Sequence, residues 1–158
     1  MIYNEHMSDP ANNANIIKGG WFAFSFEDES HTAVLKTPQD LESYIQTIVA
    51  EFRKDTAIVS DGFWEQQEAH VREFYAKFNE EFFKTSILVI ALIDRGSGSA
   101  SYQLVNSSVT GRTFTVDIER GGGLIMTMDY VSWVLMMELC REVYEDIGEV
   151  NVNLHIKT

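Results

Sequence analysis

The feature that most constrains this chain is the apolar run Ile87–Ile93, in which seven consecutive residues are apolar and four are β-branched. The run follows Phe82–Ser86 and closes on Asp94–Ser99, whose Gly and Ser residues favour a turn. β-Branched residues favour strands, and a strand without polar alternation is typical of one buried on both faces. The sequence therefore predicts a central strand here, with other elements covering both of its faces.

Two helices are predicted before this strand. Thr37–Asp40 is typical of a helix start, because it offers a capping hydroxyl, a proline for the first turn and an early acidic residue. Apolar residues then recur at intervals of three and four to about Phe52, and a second, coarser helical pattern runs from Phe63 to near Glu81. The outer face of this second helix is predicted to be acidic and to carry Glu65, Glu68, Glu73 and Glu80.

The chain ahead of the helices is predicted to contain an arm and a hairpin. Residues 1–19 are polar and rich in Asn, with no usable period, so we expect a loose polar arm. Trp21–Phe26 and His31–Lys36 are typical of two strands joined by a charged turn. Residues 20–158 are then expected to form a single domain, since their length suits one core.

Strand periodicity continues from the central run to the end of the chain. Three segments joined by short turns indicate an antiparallel meander: Ser86–Asp94, Ser101–Val109 and Thr113–Arg120. Tyr130–Tyr144 fits either a helix or a strand by pattern alone. We favour a strand to about Leu139, a short turn or helical piece, and a last strand over Glu149–Lys157.

The predicted fold class is α+β. It consists of an antiparallel β-sheet of five or more strands, with an N-terminal β-hairpin and two helices packed against it. The core is predicted to include Phe82, Leu88, Ile90, Phe114 and Trp133.

Composition limits the partners of this chain. Its 158 residues carry 24 acidic and 12 basic side chains, a net charge of −12, so direct contact with nucleic-acid phosphates is not expected. The apolar runs are too short for a membrane span, and we expect a soluble chain, with a cytoplasmic location slightly favoured. One cysteine, Cys140, excludes an intramolecular disulfide. The oligomeric state stays open.

No motif in the sequence predicts catalysis, a metal or a cofactor. Gly-x-Ser-x-Gly and His-Glu-x-x-His are both absent. Cys140 is a conceivable nucleophile with His70 or His155 as its base. It lies in an apolar run, however, where a cysteine usually fills the core. The acidic turn Glu27–His31 lacks the spacing of a calcium loop, and Gly121–Gly123 lacks the features of a phosphate-binding loop.

Several motifs of the later chain recur together in a known group: Tyr75 with Phe82-Phe83, the strand Leu88–Ile90, the turn Gly96–Ser99, and Thr127–Asp129 with Trp133 and Glu138. In these the chain resembles a group of uncharacterised proteins of gut Firmicutes, most closely from Tyr75 onward. Tyr130 follows Asp129 where that group commonly has Met, and Gly122-Gly123 stands where Pro is common. The resemblance implies no established activity, and it favours a strand at Trp133.

A second resemblance is confined to Ser97–Tyr102. This segment is similar in outline to a Thr-Gly-Gly-Tyr-like turn in a protease-complex domain, which is itself similar to chagasin-type inhibitors. The Arg-Pro-aromatic element of those inhibitors is absent from this sequence. Protease inhibition is therefore not implied.

Three classes of function fit the sequence. The favoured one is a non-enzymatic binding or inhibitor protein that contacts a basic protein surface, for example a phage-type anti-CRISPR protein or nuclease blocker. The second is an extracellular or cell-envelope accessory domain with a small-ligand pocket, and the third is a hydrolase that uses Asp94, Asp129 and a His. The candidate partner-binding residues are Glu65, Glu68, Glu73, Glu80, Arg95, Ser97, Ser99 and Asp129.

Overall fold

The structure is a computed structural model that describes residues 14–18, 32–54, 61–96, 99–122 and 131–156. In chain order its elements are β1 (Ala14–Lys18), β2 (Thr32–Leu35), α1 (Pro38–Lys54), α2 (Asp61–Tyr75), α3 (Glu80–Thr85), β3 (Ser86–Gly96), β4 (Ala100–Thr110), β5 (Thr113–Gly122), β6 (Val131–Cys140), α4 (Arg141–Tyr144) and β7 (Glu149–Ile156). Within these residues the fold is α+β, as predicted.

The described strands form two sheets. Sheet 1 has the order β1-β6-β3-β2 and is antiparallel, whereas sheet 2 has the order β4-β5-β7 and is mixed, because β7 runs parallel to β5. The prediction of one antiparallel sheet of five or more strands is wrong in this respect. β2 pairs with Leu88–Ala91 on one edge of β3 and β6 pairs on the other, whereas β4 pairs with β5 and begins the second sheet. β7 joins β5 only after the chain has passed through β6, and such a long connection permits parallel pairing.

Sheet 1 is the middle of three layers. On one face Leu88, Ile90 and Met136 pack with side chains of α1, α2 and α3. On the other face Val89 and Leu135, with their neighbours, pack against β5 of sheet 2. The prediction that the run Ile87–Ile93 is buried on both faces is confirmed, because each of its two alternating sets of side chains enters a different core.

The helices follow the sequence signals for their ends. The Asp40 amide donates a 3.0 Å hydrogen bond to the Thr37 hydroxyl, which caps α1 as expected. The predicted second helix, however, is divided in two. α2 ends at Tyr75, and the Asn79 side chain starts α3 by accepting a 3.1 Å hydrogen bond from the Phe82 amide.

Four of the five predicted core residues are buried, and Phe82 is the exception. Leu88, Ile90, Phe114 and Trp133 are buried, whereas Phe82 is partly buried and packs on the helix-side core. The division at Asn79 sets the rotation of the short helix α3, so that the neighbouring residue Phe83 fills the core instead.

The prediction for the N-terminal arm is wrong where the arm is described, whereas the predictions for the last two strands are confirmed. Ala14–Lys18 belong to the segment predicted as a loose arm, yet they pair with β6, because Ile16 and Ile17 pack on opposite faces of sheet 1. Trp21–Phe26 lie outside the described residues, and the second arm of the predicted hairpin contains β2. The strand predicted in Tyr130–Tyr144 and the last strand are confirmed by β6 and β7.

No helix among the described residues is long and apolar enough to cross a membrane.

Candidate functional site

The four acidic residues predicted on the second helix are divided between two helices. Glu65, Glu68 and Glu73 lie on α2, and Glu80 lies in the first turn of α3. Glu65, Glu73 and Glu80 are exposed, and Glu68 is half-exposed. We call these four residues the acidic helix face.

Arg72 is the only arginine on α2, and it is held by other carboxylates. Its guanidinium donates to both carboxylate oxygens of Glu42 on α1, at 2.8 and 3.1 Å, and lies 3.9 Å from Glu68. Hydrogen bonding to Arg72 lowers the pKa of the Glu42 carboxyl, and the same contact raises the pKa of Arg72. Arg72 therefore links α1 to α2 and is not available to neutralise the rest of the face.

Three residues of the acidic helix face, Glu65, Glu73 and Glu80, form no ion pair with any residue that the structure describes. Lys77 lies between α2 and α3, and its ammonium is 4.9 Å from the centroid of the Phe78 ring. The acidic helix face thus carries net negative charge.

The predicted loop residues are only partly described. Ser97 and Asp129 lie outside the described residues, and so does the side chain of Arg95, although its backbone pairs with Ser132 in sheet 1. Ser99 is exposed in the connection between β3 and β4.

The structure also assembles a polar cluster that the sequence analysis missed. Asp94 at the end of β3 accepts a 2.7 Å hydrogen bond from the Tyr102 hydroxyl and a 3.1 Å hydrogen bond from Arg120. Since Asp94 belongs to sheet 1 and the other two residues to sheet 2, the cluster joins the sheets. Trp133 covers one side, with its ring centroid 4.8 Å from that of Tyr102.

The environment of this cluster changes the acidity of Tyr102. Burial, followed by the hydrogen bond to the Asp94 carboxylate, raises the pKa of Tyr102 to about 12. The hydroxyl is therefore a hydrogen-bond donor at neutral pH. Asp94 and Arg120 are 19% and 25% exposed, so that the ion pair is partly shielded from water.

A shallow cleft of about 380 Å³ lies beside Tyr102 on sheet 2. Its other lining residues are Ser101, Gln103, Glu119 and Gly121. They offer a hydroxyl, a carboxamide and a carboxylate, which are groups that form hydrogen bonds rather than apolar contacts. We regard the cleft as a polar surface feature of the β4–β5 hairpin.

The residues considered for catalysis are spread over the fold. Cys140 is buried at the end of β6, His70 is exposed on α2, and His155 is exposed on β7 with its Nε2 3.7 Å from Asp117. Among the residues that the structure describes, no group of three or more His, Cys, Asp and Glu side chains is arranged to hold a metal ion.

Comparisons with protein families, with curated proteins and with solved structures give no match to this chain. The two resemblances described above accordingly stay expectations from sequence motifs.

Proposed function

We propose that this chain is a non-enzymatic binding protein that docks its acidic helix face on a basic surface of a protein partner. A basic nuclease is one class of partner with such a surface. The bound state would then cover Glu65, Glu68, Glu73 and Glu80 without any chemical change in either protein.

The observation that carries this proposal is the placement of Arg72. Its guanidinium is already engaged by Glu42 through two hydrogen bonds and lies near Glu68. Among the described residues, Glu65, Glu73 and Glu80 have no basic partner, so a bound protein can supply their counter-charges. A partner with several Lys or Arg side chains supplies those counter-charges.

The charge of the whole chain supports the same conclusion. With a net charge of −12, the protein attracts a basic surface over distances of about a Debye length, roughly 10 Å at 0.1 M salt. Attraction of this kind mainly raises the association rate and makes it sensitive to salt. The proposal therefore predicts a specific kinetic behaviour as well as binding.

The first experiment is to capture a partner on the immobilised protein from lysates of the native host, with and without its phages, at low salt. Association and dissociation rates of the captured protein are then measured at about 50 and 300 mM salt. The test variant reverses the three residues that form no ion pair with any described residue: Glu65→Lys, Glu73→Lys and Glu80→Lys. We expect at least a tenfold loss in association rate at low salt and a weaker dependence on salt.

A matched control separates the acidic helix face from net charge. The control reverses three other exposed acidic residues: Glu142 on α4, Asp146 just after α4 and Glu149 on β7. Reversal of these residues to Lys changes the net charge by the same amount as the test variant does. We expect this control to slow association by less than threefold. Equal losses in the two triple variants, or capture of no basic protein at low salt, would overturn the proposal.

A further inference from the structure

A cavity of about 300 Å³ lies between α2 and sheet 1. Its wall combines polar residues, which include Asn15, Lys77 and Glu138, with apolar side chains, which include Ile17 of β1, Phe74 of α2, Phe78, Leu88 of β3 and Met136 of β6. The apolar side chains belong to the helix-side core or pack against it. A volume of this size is at the lower end of the range of small-molecule sites.

Glu138 is the unusual residue of this cavity. It lies on β6, directly opposite Leu88 of β3, so its side chain is on the face of sheet 1 that packs against the helices. The preceding residue on this face, Met136, belongs to the core. A carboxylate at such a position loses part of its hydration unless a partner replaces the water. Among the described residues, Glu138 has no hydrogen-bond or ion-pair partner.

Lys77 contributes the opposite charge to the same cavity. Its ammonium lies over the Phe78 ring, 4.9 Å from the centroid, and forms no ion pair with any described residue. Lys77 and Glu138 therefore line one cavity without neutralising each other. Glu138 and the exposed residue Lys77 thus present a carboxylate and an ammonium to the same cavity.

We propose that this cavity binds a small zwitterion with an apolar body, of the class of the large hydrophobic α-amino acids. The ammonium of the ligand pairs with Glu138, its carboxylate pairs with Lys77, and its side chain contacts Phe74 and Met136. A ligand with one charge leaves either Glu138 or Lys77 unpaired, and an uncharged apolar ligand leaves both. The pair of charges thus selects for a zwitterion, and the apolar part of the wall selects for a large apolar side chain.

The inference is tested by calorimetric titration and thermal shift with L-phenylalanine and L-leucine. Three matched probes each lack one feature: phenylalaninamide lacks the carboxylate, N-acetyl-phenylalanine lacks the ammonium, and glycine lacks the apolar body. Because a charge-assisted hydrogen bond contributes about 1.5 to 3 kcal/mol, each blocked form is expected to bind at least about tenfold more weakly. Absence of saturable binding for both free amino acids, or equal binding of the blocked forms, would contradict the proposal.

Two variants assign the binding to this cavity. Glu138→Gln and Lys77→Met keep the size of the side chain and remove its charge, and each is expected to weaken L-phenylalanine binding at least tenfold. Glu142→Gln, an exposed change on α4, is the control and is expected to have no effect. Unchanged binding in Glu138→Gln would place the ligand elsewhere and overturn the assignment.

This inference does not depend on the acidic helix face. The triple reversal of Glu65, Glu73 and Glu80 leaves the lining of the cavity intact and is expected to bind L-phenylalanine with unchanged affinity. Conversely, Glu138→Gln is expected to leave association with a basic partner unchanged. The two proposals therefore succeed or fail separately.

Discussion

The Tyr102 hydroxyl donates a 2.7 Å hydrogen bond to the Asp94 carboxylate, and this bond joins the two sheets of the protein. Arg120 approaches the same carboxylate oxygen at 3.1 Å. The apolar packing between the sheets does not fix how they are aligned along the strands, because hydrophobic contacts are not directional. A hydrogen-bonded carboxylate is directional, so this cluster sets the alignment at the end where β3 passes into β4.

Removal of the hydroxyl should therefore be costly. We expect Tyr102→Phe to lower the free energy of unfolding by about 1 to 2 kcal/mol, since a hydrogen bond to a partly buried carboxylate is lost while the ring is kept. Urea unfolding monitored by fluorescence measures the change. A loss below about 0.3 kcal/mol would show that the bond does not hold the sheets together.

Tyr75 differs from Tyr102 in the hydrogen bonding of its hydroxyl. Its ring is 1% exposed, and its hydroxyl has no hydrogen-bond partner among the described residues. A buried hydroxyl without a partner destabilises the folded state, because it has given up its bonds to water. Tyr75→Phe is therefore expected to leave stability unchanged or to raise it by up to about 1 kcal/mol. A clear destabilisation in the same urea assay would reveal a partner for this hydroxyl.

Stability should fall at alkaline pH. The pKa of Tyr102 rises from the ordinary value of 10.0 to about 12 in the folded protein, and burial also raises the pKa values of Tyr44 and Tyr75. A raised pKa means that the folded state holds its proton more tightly than the unfolded state does. The contribution of the Tyr102 proton to the free energy of unfolding is complete below pH 10 and is lost as the pH rises towards 12.

The measurement is the free energy of unfolding at pH 9 and at pH 11 for the wild type and for Tyr102→Phe. Lysines also titrate in this range, but they do so in both proteins. We expect the variant to lose less stability than the wild type between the two pH values. The same loss in both would mean that Tyr102 does not titrate differently in the folded state.

Some of this architecture could be predicted from the sequence, and some could not. The apolar run Ile87–Ile93 indicates burial on both faces, because alternation disappears only when neither face meets water. The pattern of a strand does not show to which sheet it belongs, however, and for this reason the division between β3 and β4 was missed.

The cluster around Asp94 was missed because it depends on one extra residue in β4. Tyr102 lies opposite Arg120 because the register between β4 and β5 shifts between Leu104 and Asn106. Regular pairing counted back from the turn would place Tyr102 opposite Gly121 instead. A bulge of this kind leaves no periodic signal in the sequence.

A cavity-forming substitution tests whether β3 is the centre of the fold. Leu88 is fully buried between sheet 1 and the helices, so Leu88→Ala should cost about 2 to 5 kcal/mol. Val109 on β4 is 46% exposed and serves as the control, for which we expect a change of no more than about 0.5 kcal/mol. Similar losses at the two positions in thermal unfolding would argue against β3 as the centre of the fold.

Arg141 connects three parts of the chain that lie far apart in sequence. Its Nε donates a 2.9 Å hydrogen bond to the carbonyl of Phe83 in α3, and another guanidinium nitrogen donates to the carbonyl of Lys36 between β2 and α1. The remaining nitrogen pairs with both carboxylate oxygens of Glu145, at 3.0 and 3.1 Å. One planar fork of donors thus satisfies two backbone carbonyls and one carboxylate.

A lysine cannot reproduce this arrangement, because its donors radiate from a single atom at the end of a flexible chain. We expect Arg141→Lys to lower the free energy of unfolding by about 1 to 3 kcal/mol, with at least one carbonyl left without its donor. Arg72→Lys is the matched control, since Arg72 and Glu42 form an exposed pair and their loss should cost less than about 1 kcal/mol. Equal effects of the two substitutions in urea unfolding would mean that Arg141 acts only through its surface pair with Glu145.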